Sequence, residues 1–202
     1  MAYALFERVR GLLIHPVETF RGSRDDTEKT VIAYFGILLL FLAVMSSLMN
    51  ALLCTALSAS GFFGMVDPFA AKFMAILPVI VFFEILIFGL VFSVIFGLWV
   101  HLWILILGGR NGVGQTLKAF LYGLTPGLVF GWIPLVGVLF AVWSFILDII
   151  GLRELAGLSP ARAALVMIIA VLIPLVVAAV FFVAFFLPLI HSATMTGLQT
   201  GY

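Results

Sequence analysis

This sequence predicts an all-α fold, a polytopic bundle of transmembrane helices, on three observations. Hydrophobic residues make up 65% of the 202 and charged residues 9%, against roughly 45–50% and about 25% in a soluble domain. So short a chain has too little interior to hide that much apolar side chain from water. The apolar residues also fall in long runs. At about 1.5 Å per helical residue, about 20 of them cross a hydrocarbon core of about 30 Å. Finally, the basic residues cluster in the polar stretches between alternate runs.

The opening MAYALFERVRGLLIHPVETFRG mixes charges among its apolar residues, so it reads as a retained segment and not as a cleaved signal peptide. Within Tyr3–Ile14, Leu5, Phe6, Val9, Leu12 and Leu13 recur at helical spacing, and Pro16 closes the run. A short N-terminal amphipathic helix is expected, lying on the membrane surface with Arg8 and Arg10 against anionic headgroups, or packed on the end of the bundle.

Span one is expected at Val31–Leu53, which carries no charge. Cys54–Lys72 follows, rich in Ser, Gly and Ala, with a turn at Asp67-Pro68. The run Phe73–Leu107 exceeds one bilayer thickness. It is read as an interfacial first part, bent at Pro78, followed by span two at about Phe83–Leu107. Gly108–Gly112 is a turn. Leu117–Ile150 is too long for one ordinary span, and Thr125-Pro126 and Gly131–Pro134 break it. This gives span three at Gln115–Phe130 and span four at Leu135–Leu155. Ser159 and Pro160 suit the start of span five, which runs to about Leu187 through Pro174. The organisation is then a segment 1–30, a five-span domain 31–190 and a polar tail 191–202.

Five spans place Arg8, Arg10, Arg21, Arg24, Lys29, Arg110, Lys118, Arg153 and Arg162 on one side and Lys72 alone on the other, accounting for all ten Lys and Arg residues. Positively charged loops stay in the cytoplasm, so the N-terminus is expected inside and the C-terminus outside, in a prokaryotic plasma membrane.

Three stretches carry a family likeness: RGLLIHPVETF at 10–20, LGGRNGVGQTLKAFLYGLTP at 107–126, and WSFILDIIGLRELAGLSPARAA at 143–164. In order and spacing they resemble the Yip1 domain family of small polytopic membrane proteins. The resemblance implies a helical membrane domain with no catalytic or metal-binding residues. Eukaryotic members of that family look like partners of small GTPases in vesicle trafficking and carry long cytoplasmic N-terminal regions. This chain is more similar to the compact prokaryotic type.

Small residues line one face of three spans: Gly89, Ser93 and Gly97 in span two; Ala119, Gly123, Gly127 and Gly131 in span three; and Gly137, Ala141, Ser144 and Gly151 in span four. Steps of three and four share a helix face, and small side chains let membrane helices approach closely. These faces are expected to pack helices within the chain or to meet a partner, with span three the preferred partner face. His101, Gln115 and Asp148 are candidates for one buried polar cluster, and Glu84 for an acid in the outer half of span two.

No motif for phosphate, dinucleotide or zinc-hydrolase chemistry occurs, nor GxSxG. His15 and His191 are expected on opposite sides of the membrane, so no metal site and no cofactor are expected. A formal charge of +1 gives no case for nucleic acid. The lone Cys54 reads as a small packed hydrophobe. The expected function is a non-catalytic scaffold or assembly protein, with the lipid bilayer and a membrane-protein partner or second copy as its contacts. The alternative is a small transporter or channel using the intramembrane polar residues.

Overall fold

The computed structural model describes residues 2–61 and 68–199. It contains α1 (Ala2–Ile14), α2 (Pro16–Gly22), α3 (Glu28–Ala59), α4 (Pro68–Ile106), α5 (Val113–Gly123), α6 (Thr125–Phe130), α7 (Val136–Leu155) and α8 (Pro160–Gln199). Asp67, half of the expected turn, lies outside the described residues, as do the last three positions of the expected tail.

Among the described residues four helices, not five, are long and apolar enough to cross a membrane: α3, α4 from Lys72, α7, and α8 from Pro160 to Pro188. The expected span three fails this test because it breaks in two at Leu124, leaving α5 with 11 residues and α6 with 6. The break has a local cause. Pro126 has no N–H to donate to the carbonyl of Tyr122, four residues back. The Thr125 hydroxyl donates to that carbonyl instead, at 2.6 Å.

Both ends of α3, the start of α4 and the end of α8 lie outside the expected spans, while α7 keeps its expected bounds to within one residue. Thr27 caps α3, its side-chain oxygen accepting from the Thr30 N–H. Helix α4 runs unbroken through Pro78, so residues 73–82 belong to the same helix as the expected span. Ser47 Oγ donates to the Pro78 carbonyl at 2.8 Å and ties α3 to α4 there. Residues 191–199 of the expected tail continue α8.

Helices α5 and α6 run antiparallel to α7 as the two arms of a hairpin. Gly151 meets the Ala119 carbonyl, Gly123 meets Asp148, Gly127 meets Ser144, and Gly137 meets the Gly131 carbonyl. A γ-turn closes the tip. Leu135 adopts φ 65 and ψ −47, and the Val136 N–H donates to the Pro134 carbonyl at 2.7 Å. This backbone is strained for a residue with a side chain.

The tightest packing lies at the end holding α1 and α2. Leu12, Phe20, Phe35, Tyr122, Leu147, Leu152, Leu155 and Met167 are buried there. Away from this end, most large apolar residues of α4, and of α8 as far as Leu187, are exposed.

Candidate functional site

The N-terminal segment is built into the bundle. Pro16 ends α1 and opens α2, turning Phe20 onto Gly151 of α7. A Cβ added at Gly151 would sit 2.8 Å from the Phe20 ring, so the glycine provides the seat. Arg8 turns inward from α1, pairs with Asp26 and donates to the Tyr122 hydroxyl. The Tyr122 hydroxyl donates to Asp26 Oδ2 at 2.7 Å. The Arg8 guanidinium also lies 5.2 Å from the centre of the Tyr122 ring, within cation–π range. Tyr34 meets Tyr122 edge to face, with ring centres 5.2 Å apart. Its hydroxyl lies 2.9 Å from Thr125 Oγ1.

Burial by itself would raise the Asp26 carboxyl. The hydrogen bonds from Arg8 and Tyr122 and the charges of Arg8 and Lys118 overcome that and hold it below the usual carboxylate range. For Arg8, burial opposes the charged form, and the contacts with Asp26 and Tyr122 outweigh it.

The linker after α2 closes this end of the hairpin. The Arg24 carbonyl accepts from Gln115 Nε2 at 3.2 Å and from Lys118 Nζ at 3.1 Å. Arg24 Nη2 donates to the Glu154 carbonyl at 3.0 Å, and Arg21 Nε to Glu154 Oε2 at 2.7 Å. Lysine 118 is thus a buried hairpin anchor, while Arg10 stays exposed on α1.

Most positions of the three small-residue faces turn inward, Gly131 being exposed. Gly89 meets Leu39 of α3, and Gly97 meets Leu117 of α5, each at 2.6 Å from an added Cβ. Ser93 Oγ donates to the Gly89 carbonyl. Gly123, Gly127 and Gly131 face α7 or their own turn and, with Gly137, Ser144 and Gly151, make up the seam of the hairpin. The Gly127 N–H donates to Ser144 Oγ at 2.9 Å. Ala141 is exposed.

His101, Gln115 and Asp148 do not share a hydrogen bond among the described residues. His101 Nδ1 lies 2.9 Å from Thr116 Oγ1, and Gln115 reaches Arg24. Asp148 is 4% exposed, and its Oδ1 finds no hydrogen-bond partner. Gly123 covers it.

Glu84 lies on the opposite kind of surface. Pro78 sits beside Ser47 and Gly89 beside Leu39, so Glu84, between them on α4, lies level with the middle of α3. Its side chain points outward, within a face formed by Ile80, Phe83, Ile87 and Phe88, the last 71% exposed. No hydrogen bond or ion pair holds Glu84 within the described residues. Glu84 is thus an acid on an apolar outer face of a helix long enough to cross a membrane.

The sequence left Arg8 between the membrane surface and the end of the bundle, and did not mark Asp26, Tyr34 or Tyr122 as its neighbours. The adjacent acids Asp25 and Asp26 beside a basic stretch were a signal. The separation of 96 positions from Asp26 to Tyr122 carried none.

A family model described as the Yip1 domain matches residues 10–190. No curated protein and no solved structure matches the chain.

Proposed function

Because the chain belongs to the Yip1 domain family, whose members are non-catalytic membrane-organising proteins, we propose that it is a scaffold within the bilayer that holds a second membrane protein against the outer face of α4. Glu84 carries this reading. An acid at the centre of a membrane helix costs about 2.5–3.5 kcal/mol on insertion scales. Lipid tails offer nothing to offset that. A partner helix with a Lys, Arg, His, amide or hydroxyl donor at mid-depth does. The inward turn of the small-residue faces supports a packing role for them and leaves α4 as the lateral contact.

The proposed orientation is N-terminus in the cytoplasm and C-terminus outside, in a prokaryotic plasma membrane. Two arms running side by side in opposite directions return the chain to the side from which the hairpin started, whatever its depth. The three other long helices then leave the two ends on opposite sides. Contacts of Arg24 with Gln115, of Arg21 with Glu154, and of Arg162 with the Gly108 turn support one shared basic side.

A photo-crosslinking residue at Phe88, one turn from Glu84, tests the scaffold in native membranes. A protein adduct is expected, retained in Glu84→Gln and lost in Glu84→Leu, with both variants melting like the parent. An adduct of two copies of the chain would identify the partner as itself. Lipid adducts alone, or an adduct indifferent to Glu84→Leu, would refute the reading.

A further inference from the structure

We infer that the crevice between α1 and α3 is a binding site for one anionic phospholipid from the leaflet on the α1 side. The crevice has a volume of about 330 Å³ and is lined by Leu5 and Arg8 of α1 and Lys29, Ala33, Tyr34 and Ile37 of α3. Its chemistry is graded. The cations Arg8 and Lys29 stand at the mouth, and the floor below them is apolar.

The two cations differ. Arg8 is neutralised by Asp26. Lys29 is exposed and makes no ion pair among the described residues. The neighbouring acid, Glu28, turns away towards Gly114 at the start of α5. The mouth therefore keeps a net positive charge.

From Lys29 to Ile37 the floor descends eight positions along α3, or about 12 Å. Ile37 is 44% exposed on a helix that crosses the membrane, so the lower part of the crevice opens to the bilayer and not to water. A free phosphate would engage Lys29 and leave the apolar floor unfilled. An uncharged lipid would fill the floor and leave Lys29 unanswered. A phospholipid with a net negative headgroup does both. The far flank of α1 repeats the arrangement: Arg10 stands over an apolar groove of about 450 Å³ that reaches Leu38, Phe41 and Phe130, with Leu5 shared between the two.

The test uses the full chain in mild detergent, titrated with phosphatidylglycerol or phosphatidylcholine of matched chains. Bound lipid is counted by native mass spectrometry. Phosphatidylglycerol is expected to bind in preference, and Lys29→Gln to weaken that preference about fivefold, the effect of one basic residue near an anionic headgroup. Ala33→Trp, which fills the floor and leaves every charge in place, is expected to abolish the preferred adduct. Glycerol phosphate at the same concentration should not compete, which separates a lipid from a free phosphate compound. Equal binding of the two lipids by the parent chain, full preference in Ala33→Trp, or displacement by glycerol phosphate would each overturn the assignment. Loss of phosphatidylglycerol preference only when a second protein co-purifies would assign the crevice to a protein partner and would overturn it too.

Discussion

The seam of the hairpin can be tested with two glycine-to-alanine substitutions that share a chemistry and differ in surroundings. At Gly36, within α3, an added Cβ meets nothing within 4 Å. Replacing glycine in a helix interior gains about 0.5–1 kcal/mol, because glycine loses more freedom on folding. Gly36→Ala should therefore be neutral or stabilising. At Gly123 an added Cβ lies 3.0 Å from the Asp148 backbone nitrogen and runs into the Asp148 carboxyl. Asp148 is 4% exposed, and its backbone as well as its carboxyl stands against the added carbon. The two arms must then part, and overpacking of this kind costs about 1–3 kcal/mol. After the gain from helix propensity, a net loss of about 1–2 kcal/mol is left. For a domain of this size each kcal/mol moves Tm by about 2–4 °C, so Gly123→Ala should melt about 2–8 °C below the parent chain and Gly36→Ala at or above it. Thermal unfolding in one mild detergent, followed by size-exclusion of the soluble fraction, measures both. Asp148→Ala should relieve part of the loss when combined with Gly123→Ala, since the two groups touch and their effects should not add. If Gly123→Ala melts with Gly36→Ala, the arms are not packed along this seam.

Two further outcomes are expected. The Asp26 carboxyl is held below its usual range when folded, so the unfolded chain binds more protons in acid. Its contribution is present above the ordinary Asp value of about 3.9 and is lost as pH falls through the lower folded value. Asp26→Asn should cost about 1–3 kcal/mol at neutral pH through the weakened bonds to Arg8 and Tyr122, and the difference from the parent should close below about pH 4; a pH-independent difference in unfolding would contradict the ion-pair account. For orientation, single cysteines at Asp26 and Gln199 in a Cys54-free chain should label from opposite sides of sealed vesicles, and labelling of both from one side would contradict the proposed topology.

Composition and apolar run length were enough to specify a helical membrane protein, because the cost of exposing that much hydrocarbon to water depends on amount and not on arrangement. The stretches at 10–20, 107–126 and 143–164 carried the family. Local chemistry was legible too: Pro16 bounded α1, Ser159 and Pro160 marked the start of α8, and Thr125-Pro126 marked a break. What the break did to the span count was not legible. A proline in a membrane helix is tolerated when a neighbour satisfies the freed carbonyl, and α4 runs straight through Pro78 while α5 ends before Pro126. The outcome turns on how the surrounding helices hold the backbone on either side.

The faces followed the same division. Spacing alone put Gly123 and Gly127 on one side of their helix, because helical periodicity is a property of the local chain. Whether that side met α7 or another protein depended on where α7 lies. Its place in an amphipathic run left Arg8 open to a headgroup or to the end of the bundle. Only folding brought Asp26 and Tyr122 to it, across separations with no local signature. Glu84 was visible as an acid among apolar residues, and its outward direction was not. The sequence by itself determined which solvent this protein lives in and where its helices can begin and break. The tertiary structure decided which faces are spent on internal contacts and which stay open, because a side chain's surroundings come from distant segments meeting and not from its neighbours along the chain.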